Sequence, residues 1–235
     1  MNNENIKQNI YQIKSNIEQA AKKFSRNFEN IKIIAVSKTH PVEAISAAYY
    51  AGATIFGENY VQELVEKQTK LYEQGIMPEW HFIGHLQTNK VKYIAPFISL
   101  IHSVDSEKLA LEISRQAEKH NRTIDILLQI NTSGEISKFG CEPDDAVSLA
   151  EKVLELPNIK LKGLMTIGTF SDDETIIRKE FRLLRSKLEE INKKLGLNLT
   201  ELSMGMSHDY EIAIEEGSTM VRIGTAIFGE RYYNR

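Results

Sequence analysis

Apolar positions at the start of the chain recur at steps of three and four: Ile6, Ile10, Ile13, Ile17, Ala20 or Ala21, and Phe24. That spacing marks one face of an α-helix, so the chain is expected to open with an amphipathic helix whose stripe packs on the body of the domain. A membrane-surface helix would oppose such a stripe with a strongly basic face, whereas here the other positions mix Asn, Gln, Glu and Lys. After residue 31 the pattern changes. Short runs rich in Ile and Val alternate with longer helical patterns, which is how repeated βα units around a parallel sheet read in sequence. The expected strands are 31–36, 54–56, 80–83, 99–102, 124–131, 161–165, 201–203 and 220–223. Between them fall expected helices at 41–51, 60–72, 87–94, 106–120, 143–156, 173–195 and 208–216. Pro41 and Pro143 suit the first turn of a helix, and Gly196 after Lys193, Lys194 and Leu195 suits a C-cap beside cations. An open doubly wound sheet shares this alternation. Eight strands, and candidate chemistry gathered at their ends, favour an α/β fold with a single (β/α)8 TIM-type barrel and an extra N-terminal helix.

The length fits that choice, since 235 residues match one barrel of about 250 residues. No Gly/Ser linker, charge block or low-complexity run divides the chain, so one domain over 1–235 is expected. With 42% hydrophobic and 26% charged residues it can bury a large core and keep a soluble surface. A net charge of -3 offers no basic field for nucleic acid. Cys141 is the sole cysteine, which excludes an intrachain disulfide, and nothing around it in sequence activates the thiol. The segment 1–5 lacks the basic and then apolar run of a signal peptide, and no stretch reaches the roughly 18 apolar residues of a membrane span. A cytoplasmic location without membrane partners is therefore expected.

Functional side chains in such a barrel stand where strands end and βα loops begin. Strand one runs into Ser37-Lys38-Thr39, and alternation puts Lys38 on the face of Ile34 and Val36, at the top of the barrel interior. A rim lysine reaching into water is the plain alternative. In the last strand Val221 and Ile223 share one face while Met220, Arg222 and Gly224 share the other, so Arg222 is expected to project inward, where a guanidinium needs a partner. Strand seven ends in Ser203-Met204-Gly205-Met206-Ser207 and strand eight in Gly224-Thr225-Ala226. Loops after strands seven and eight are the usual phosphate position of these barrels, where glycine admits close approach to backbone N–H groups. Ser207 is expected to act as N-cap for a helix starting near His208. At the same mouth Asn59 offers an amide to a ligand ring substituent; Glu58 and Gln87 stand there without an assigned role, and His81 and His85 read as structural. His81 and His85 lack the helical face that a metal pair at that spacing requires, so no metal site is expected. The 131–140 loop is long enough to gate a site, and Lys138 within it is a second candidate amine.

Four stretches together resemble one known family: Val36-Ser37-Lys38-Thr39, Phe56-Gly57-Glu58-Asn59, His81 through Lys90, and Ser203-Met204-Gly205-Met206-Ser207-His208-Asp209 followed by Val221-Arg222-Ile223-Gly224. The family is that of the pyridoxal phosphate homeostasis proteins, and the similarity runs from about residue 5 to Phe228-Gly229. The resemblance implies a barrel similar to the N-terminal domain of bacterial alanine racemase. It implies pyridoxal 5'-phosphate (PLP) held as a Schiff base on Lys38, with Arg222 near the pyridine nitrogen and Ser207, Gly224 and Thr225 around the phosphate. Asn59 and Met206 complete the expected cofactor-binding set. Expected partners are PLP, related B6 vitamers and PLP-dependent apoenzymes, in a carrier role without established turnover. The competing reading is a PLP-dependent amino-acid racemase. That chemistry needs an acid or base on each face of the substrate carbon, one of which alanine racemases draw from an added β domain that is not expected here. A third reading is a barrel for another phosphorylated metabolite, with Lys38 left unmodified.

Overall fold

The leading stripe folds as predicted. In the computed structural model, which describes residues 3–135 and 138–230, helix α1 (Asn3–Lys23) buries Ile6, Ile10, Ile13, Ile17, Ala20 and Ala21. It lies against the helices that follow the first and last two strands. Asn9 Nδ2 donates to the carbonyl of Ile227 at 2.9 Å, and Arg26, just beyond the helix, donates to those of Ile214 and Ser218.

The strands are β1 (Lys32–Val36), β2 (Ile55–Glu58), β3 (Glu79–Phe82), β4 (Leu100–Val104), β5 (Ile124–Gln129), β6 (Ile159–Met165), β7 (Glu201–Met206) and β8 (Met220–Ile223). Each pairs in parallel with the next, and β1 pairs with β8 in the register Ile34 to Arg222, so the eight strands close into a barrel in chain order. The helices α2 (Val42–Tyr50), α3 (Val61–Glu73), α4 (Val91–Ile94), α5 (Glu107–Lys119), α6 (Ala146–Leu154), α7 (Glu174–Leu195) and α8 (Tyr210–Glu215) wrap it, and the short α9 (Thr225–Phe228) follows β8. Outward residues such as Ala35, Phe56, Trp80, Phe82, Ile101, Leu164, Val221 and Ile223 join the helix stripes in the main apolar core. Inside the barrel the apolar cluster is small: Ile34, Leu100, Leu127, Met165 and Met220. The same inward face carries His81, His102, Ser203 and Arg222, all buried. Barrels of this kind are ordinarily filled by Val, Ile and Leu. Two glycines serve the closure: a Cβ on Gly163 would fall 1.9 Å from the Glu201 carbonyl across β6 and β7, and Gly205 holds φ +93 where the β7–β8 register shifts.

Several boundaries differ from the sequence expectation. β5 stops at Gln129 because Ile130 already pairs with Cys141 in an isolated bridge that starts the 131–140 loop; Ile136 and Ser137 of that loop lie outside the described residues. β7 continues to Met206 through the Gly205 irregularity. The expected starts of α4 and α6 are 3-10 turns, Thr88–Lys90 and Pro143–Asp145. Pro41 occupies the N-cap position of α2. Gly196 caps α7 in the left-handed conformation at φ +64, its N–H donating to the Asn192 carbonyl. Neither α9 nor the 3-10 turn Phe28–Asn30 was anticipated, each being too short to show a period. Among the described residues no helix is long and apolar enough to cross a membrane.

Candidate functional site

A cleft of about 320 Å³ opens at the C-terminal ends of the strands, lined by Val36, Lys38, Asn59, Ile83, Ile167, Phe170, Met206, Ser207, His208, Arg222, Gly224 and Thr225. Every residue singled out in sequence as cofactor-binding is among them: Lys38, Asn59, Met206, Ser207, Arg222, Gly224 and Thr225. Strand alternation explains Lys38, which follows Ile34 and Val36 inward, while Ser37 and Glu58 turn outward and are buried.

The backbone around Lys38 is gripped from behind. Lys67 on α3 donates to the Ser37 carbonyl at 2.7 Å and to Glu58 Oε1 and Glu63 Oε1 at 2.6 Å each. Ser37 Oγ donates to Glu58 Oε1 at 2.7 Å, and the Thr39 N–H donates to Glu63 Oε1 at 2.5 Å. Thr39 sits at φ +67, a conformation that a β-branched residue adopts only when its surroundings impose it. Burial pushes the Glu58 carboxyl above the ordinary carboxylate range, with Lys67 acting in the opposite sense.

Ser207 joins the two loops expected to take a phosphate. Its Oγ accepts from the Gly224 N–H at 3.3 Å and from the Ala226 N–H at 3.4 Å. It is not the N-cap of the next helix. Asp209 occupies that position and its Oδ1 accepts from the Met206 N–H at 2.6 Å, a turn that delays α8 to Tyr210 and leaves Ser207 facing the β8 loop.

Arg222 points into the barrel, as alternation requires, and its Nη1 donates to Ser203 Oγ at 2.6 Å and its Nη2 to the Thr166 carbonyl at 2.8 Å. These partners are neutral, so the guanidinium keeps its full charge beneath the cleft. Burial lowers its pKa to about 10, with Asp209 opposing the shift. Ser203 Oγ lies 2.9 Å from His102 Nδ1, and His102 Nε2 lies 3.0 Å from His81 Nδ1. Burial, with His81 and Arg222 nearby, holds the His102 pKa well below its ordinary value. Asn59 Oδ1 is buried and has no hydrogen-bond partner among the described residues.

Other residues noted in sequence stand apart from the cleft. His85 is exposed and stacks on Phe139 with ring centroids 3.8 Å apart, whereas His81 is inside the barrel. Lys138 is paired with Glu135 at 2.7 Å and does not line the cleft. Cys141 is half-buried, its thiol pushed up to about 12 by burial and by Asp105 and Asp145. Sequence reasoning missed Ile167 and Phe170, which bring the loop after β6 over the cleft, and Phe170, 81% exposed, packs on His208. It also missed Lys67, a cation inside an otherwise amphipathic helix face, and His102, whose inward direction followed from its step of two from Leu100.

Residues 8–232 match the family profile described as alanine racemase, N-terminal domain. The pyridoxal phosphate homeostasis protein of Aquifex aeolicus is 44% identical, over 97% of this chain and 100% of that one. That of Vibrio cholerae is 46% identical over 98% of each. Among solved structures, PipY of Synechococcus elongatus, determined with PLP bound, superposes with a TM-score of 0.80 at 36% identity, covering 91% of this chain and 99% of that one. An amine at the top of the barrel, a hydroxyl bridging the last two loops, a buried arginine below them and near-complete alignment with these relatives lead to one assignment: the chain belongs to the pyridoxal phosphate homeostasis protein family.

Proposed function

We propose that this protein binds PLP in the cleft, holds it as a Schiff base on Lys38, and serves in the cytoplasm as a carrier that passes it to PLP-dependent apoenzymes. One observation carries the reading: Lys38, Arg222, Ser207 and Thr225 converge on a single cleft whose volume, about 320 Å³, suits a small cofactor. The PLP-bound relative supports the same ligand.

The residues present fit PLP group by group. Lys38 supplies the primary amine that an aldehyde needs, with loss of water on condensation. Thr225 and the Gly224 N–H, which donates to Ser207 Oγ in this structure, are the donors this reading gives the phosphate, and Ser207 adds a hydroxyl that can turn toward it. Asn59 Oδ1, buried without a partner among the described residues, provides an acceptor for a ring hydroxyl, which would remove an otherwise costly unsatisfied group. Arg222 can only donate, so it suits a neutral pyridine nitrogen. When bound, PLP supplies an electrophilic aldehyde and an electron-withdrawing ring. A fixed cation beside the ring nitrogen disfavours its protonation and weakens that withdrawal, which suits storage better than carbanion chemistry.

The test is a PLP titration followed in the visible region. The wild type is expected to develop an imine band with a stoichiometry of about one per chain, and Lys38→Ala to lose the band while keeping its far-UV circular dichroism. A wild type that stays colourless and takes up no PLP would end this reading and leave the phosphorylated-metabolite alternative.

A further inference from the structure

The interior of this barrel departs from the ordinary filling in one continuous line. Glu79 begins β3 at the end of the barrel opposite the cleft, and its side chain is 50% exposed. Its Oε1 lies 3.0 Å from His81 Nε2. From there the line runs through His102 and Ser203 to Arg222, crossing the barrel from β4 to β7 in the 2.9 Å contact between His102 and Ser203. His81, His102 and Ser203 are each at most 1% exposed. Four polar side chains buried in place of aliphatic ones give up apolar packing, and only complete mutual satisfaction offsets that loss.

The two ends fix the direction of every proton between them. Arginine only donates, so Ser203 Oγ accepts from Arg222 and must give its own hydrogen elsewhere; among the described residues its acceptor is His102 Nδ1. His102, kept neutral in the core, then carries its proton on Nε2 and donates to His81 Nδ1. His81 in turn carries its proton on Nε2 and donates to Glu79, a carboxylate that only accepts. The reverse order for two neutral rings would face a bare His81 Nε2 with the Glu79 carboxylate, acceptor against acceptor, and leave the Ser203 hydrogen unused. A charged His81 would also force that reversal at Ser203. The hydrogen bond from His81 holds the Glu79 carboxyl below its ordinary value, and Lys32 on β1, paired with Glu201 on β7 at 3.0 Å at the same end of the barrel, acts in the same sense.

We propose that Ser203, His102, His81 and Glu79 are positioning residues for Arg222: an ordered hydrogen-bond line through the barrel that presents the guanidinium to the ring nitrogen of the bound cofactor, with its terminal anchor at the opposite face of the protein. The part that concerns the ring nitrogen rests on the function proposed above; the order of the line does not.

Two measurements test it. In ligand-free protein labelled with 15N-histidine, both His81 and His102 are expected to carry the proton on Nε2, and Glu79→Gln, a change at the exposed end, is expected to shift the His102 ring resonances although the two residues do not touch. Nδ1–H tautomers, or a His102 that ignores Glu79→Gln, would overturn the proposal whether or not the protein binds PLP. Binding of PLP is then compared with binding of the analogue whose ring nitrogen is replaced by carbon. Ser203→Ala removes one hydrogen-bond acceptor from a charged donor and is expected to weaken PLP by about tenfold and the carbon analogue by less than about twofold. Glu79→Gln is expected to follow the same selectivity at about two- to threefold. Equal losses for both ligands would reduce the line to core packing. A wild type that binds neither ligand would instead refute the PLP reading, with the tautomers left to decide the line.

Discussion

Lys67→Met replaces the cation that holds two carboxylates and the Ser37 carbonyl behind Lys38 with an apolar side chain of similar length. Glu58 is fully buried and its second oxygen, Oε2, already has no partner among the described residues. Removing Lys67 therefore leaves a buried charge with only the Ser37 hydroxyl. Breaking a buried ion pair from one side costs about 3–5 kcal/mol. For a chain of this size each kcal/mol lowers Tm by about 2–4 °C, so a fall of roughly 6–20 °C is expected near neutral pH. Glu63, a quarter exposed, can be solvated by water and adds little. The loss should depend on pH in a defined sense. Glu58 has a folded-state pKa raised above its unfolded value, so its contribution is fully present below the unfolded pKa and is lost as pH rises through the folded one. Without Lys67 that pKa rises further, and the gap between variant and wild type should be small near pH 5 and large near pH 8. Adding Glu58→Gln to the variant removes the charge and should recover much of the gap and flatten its pH dependence. The assay is thermal unfolding of the three proteins at both pH values. A gap that is equal at pH 5 and pH 8, or that Glu58→Gln leaves untouched, would refute the buried-charge reasoning.

Ser207→Ala and Thr225→Val should weaken PLP by about tenfold each, as loss of a hydrogen bond to a charged group predicts, while weakening pyridoxal by less than about twofold; equal losses would place both residues away from the phosphate. Cys141, with its thiol near 12, should resist iodoacetamide at pH 7.5 far longer than a free small thiol, and prompt labelling would show that the thiol is not in the environment described. The wild type should exchange the α-proton of added amino acids slowly or not at all, and Arg222→Glu, if it holds PLP, should exchange it faster because a carboxylate favours the protonated ring. Rapid exchange with inversion in the wild type, followed by deuterium NMR, would make the protein a racemase.

The period of the apolar residues was enough to order the barrel, since its strands are buried on both faces and bounded by helices of clear amphipathic spacing. Alternation alone placed Lys38 and Arg222 inward, because two residues per repeat leaves no freedom once Ile34 or Met220 is known to face the interior. Boundaries were less legible where tertiary contacts decide them: Asp209, whose Oδ1 accepts the Met206 N–H, moved the start of α8 and took the N-cap position expected of Ser207 without capping the helix through its side chain. The supporting residues were hidden for a different reason. Lys67 is one charge on a helix face and Glu58 one polar residue at a strand end, and nothing in sequence pairs them until the fold brings β1, β2 and α3 together. The partnership of His102 with Ser203 spans 101 positions in sequence and exists only across a closed barrel.

Covalent capture of PLP by Lys38 is tested by borohydride reduction of the PLP-loaded protein followed by peptide mapping in a mass spectrometer. The visible band should bleach, and a phosphopyridoxyl adduct should appear on the peptide that carries Lys38 and be absent from Lys38→Ala. An adduct confined to Lys138 or to surface lysines, with Lys38 unmodified, would contradict it.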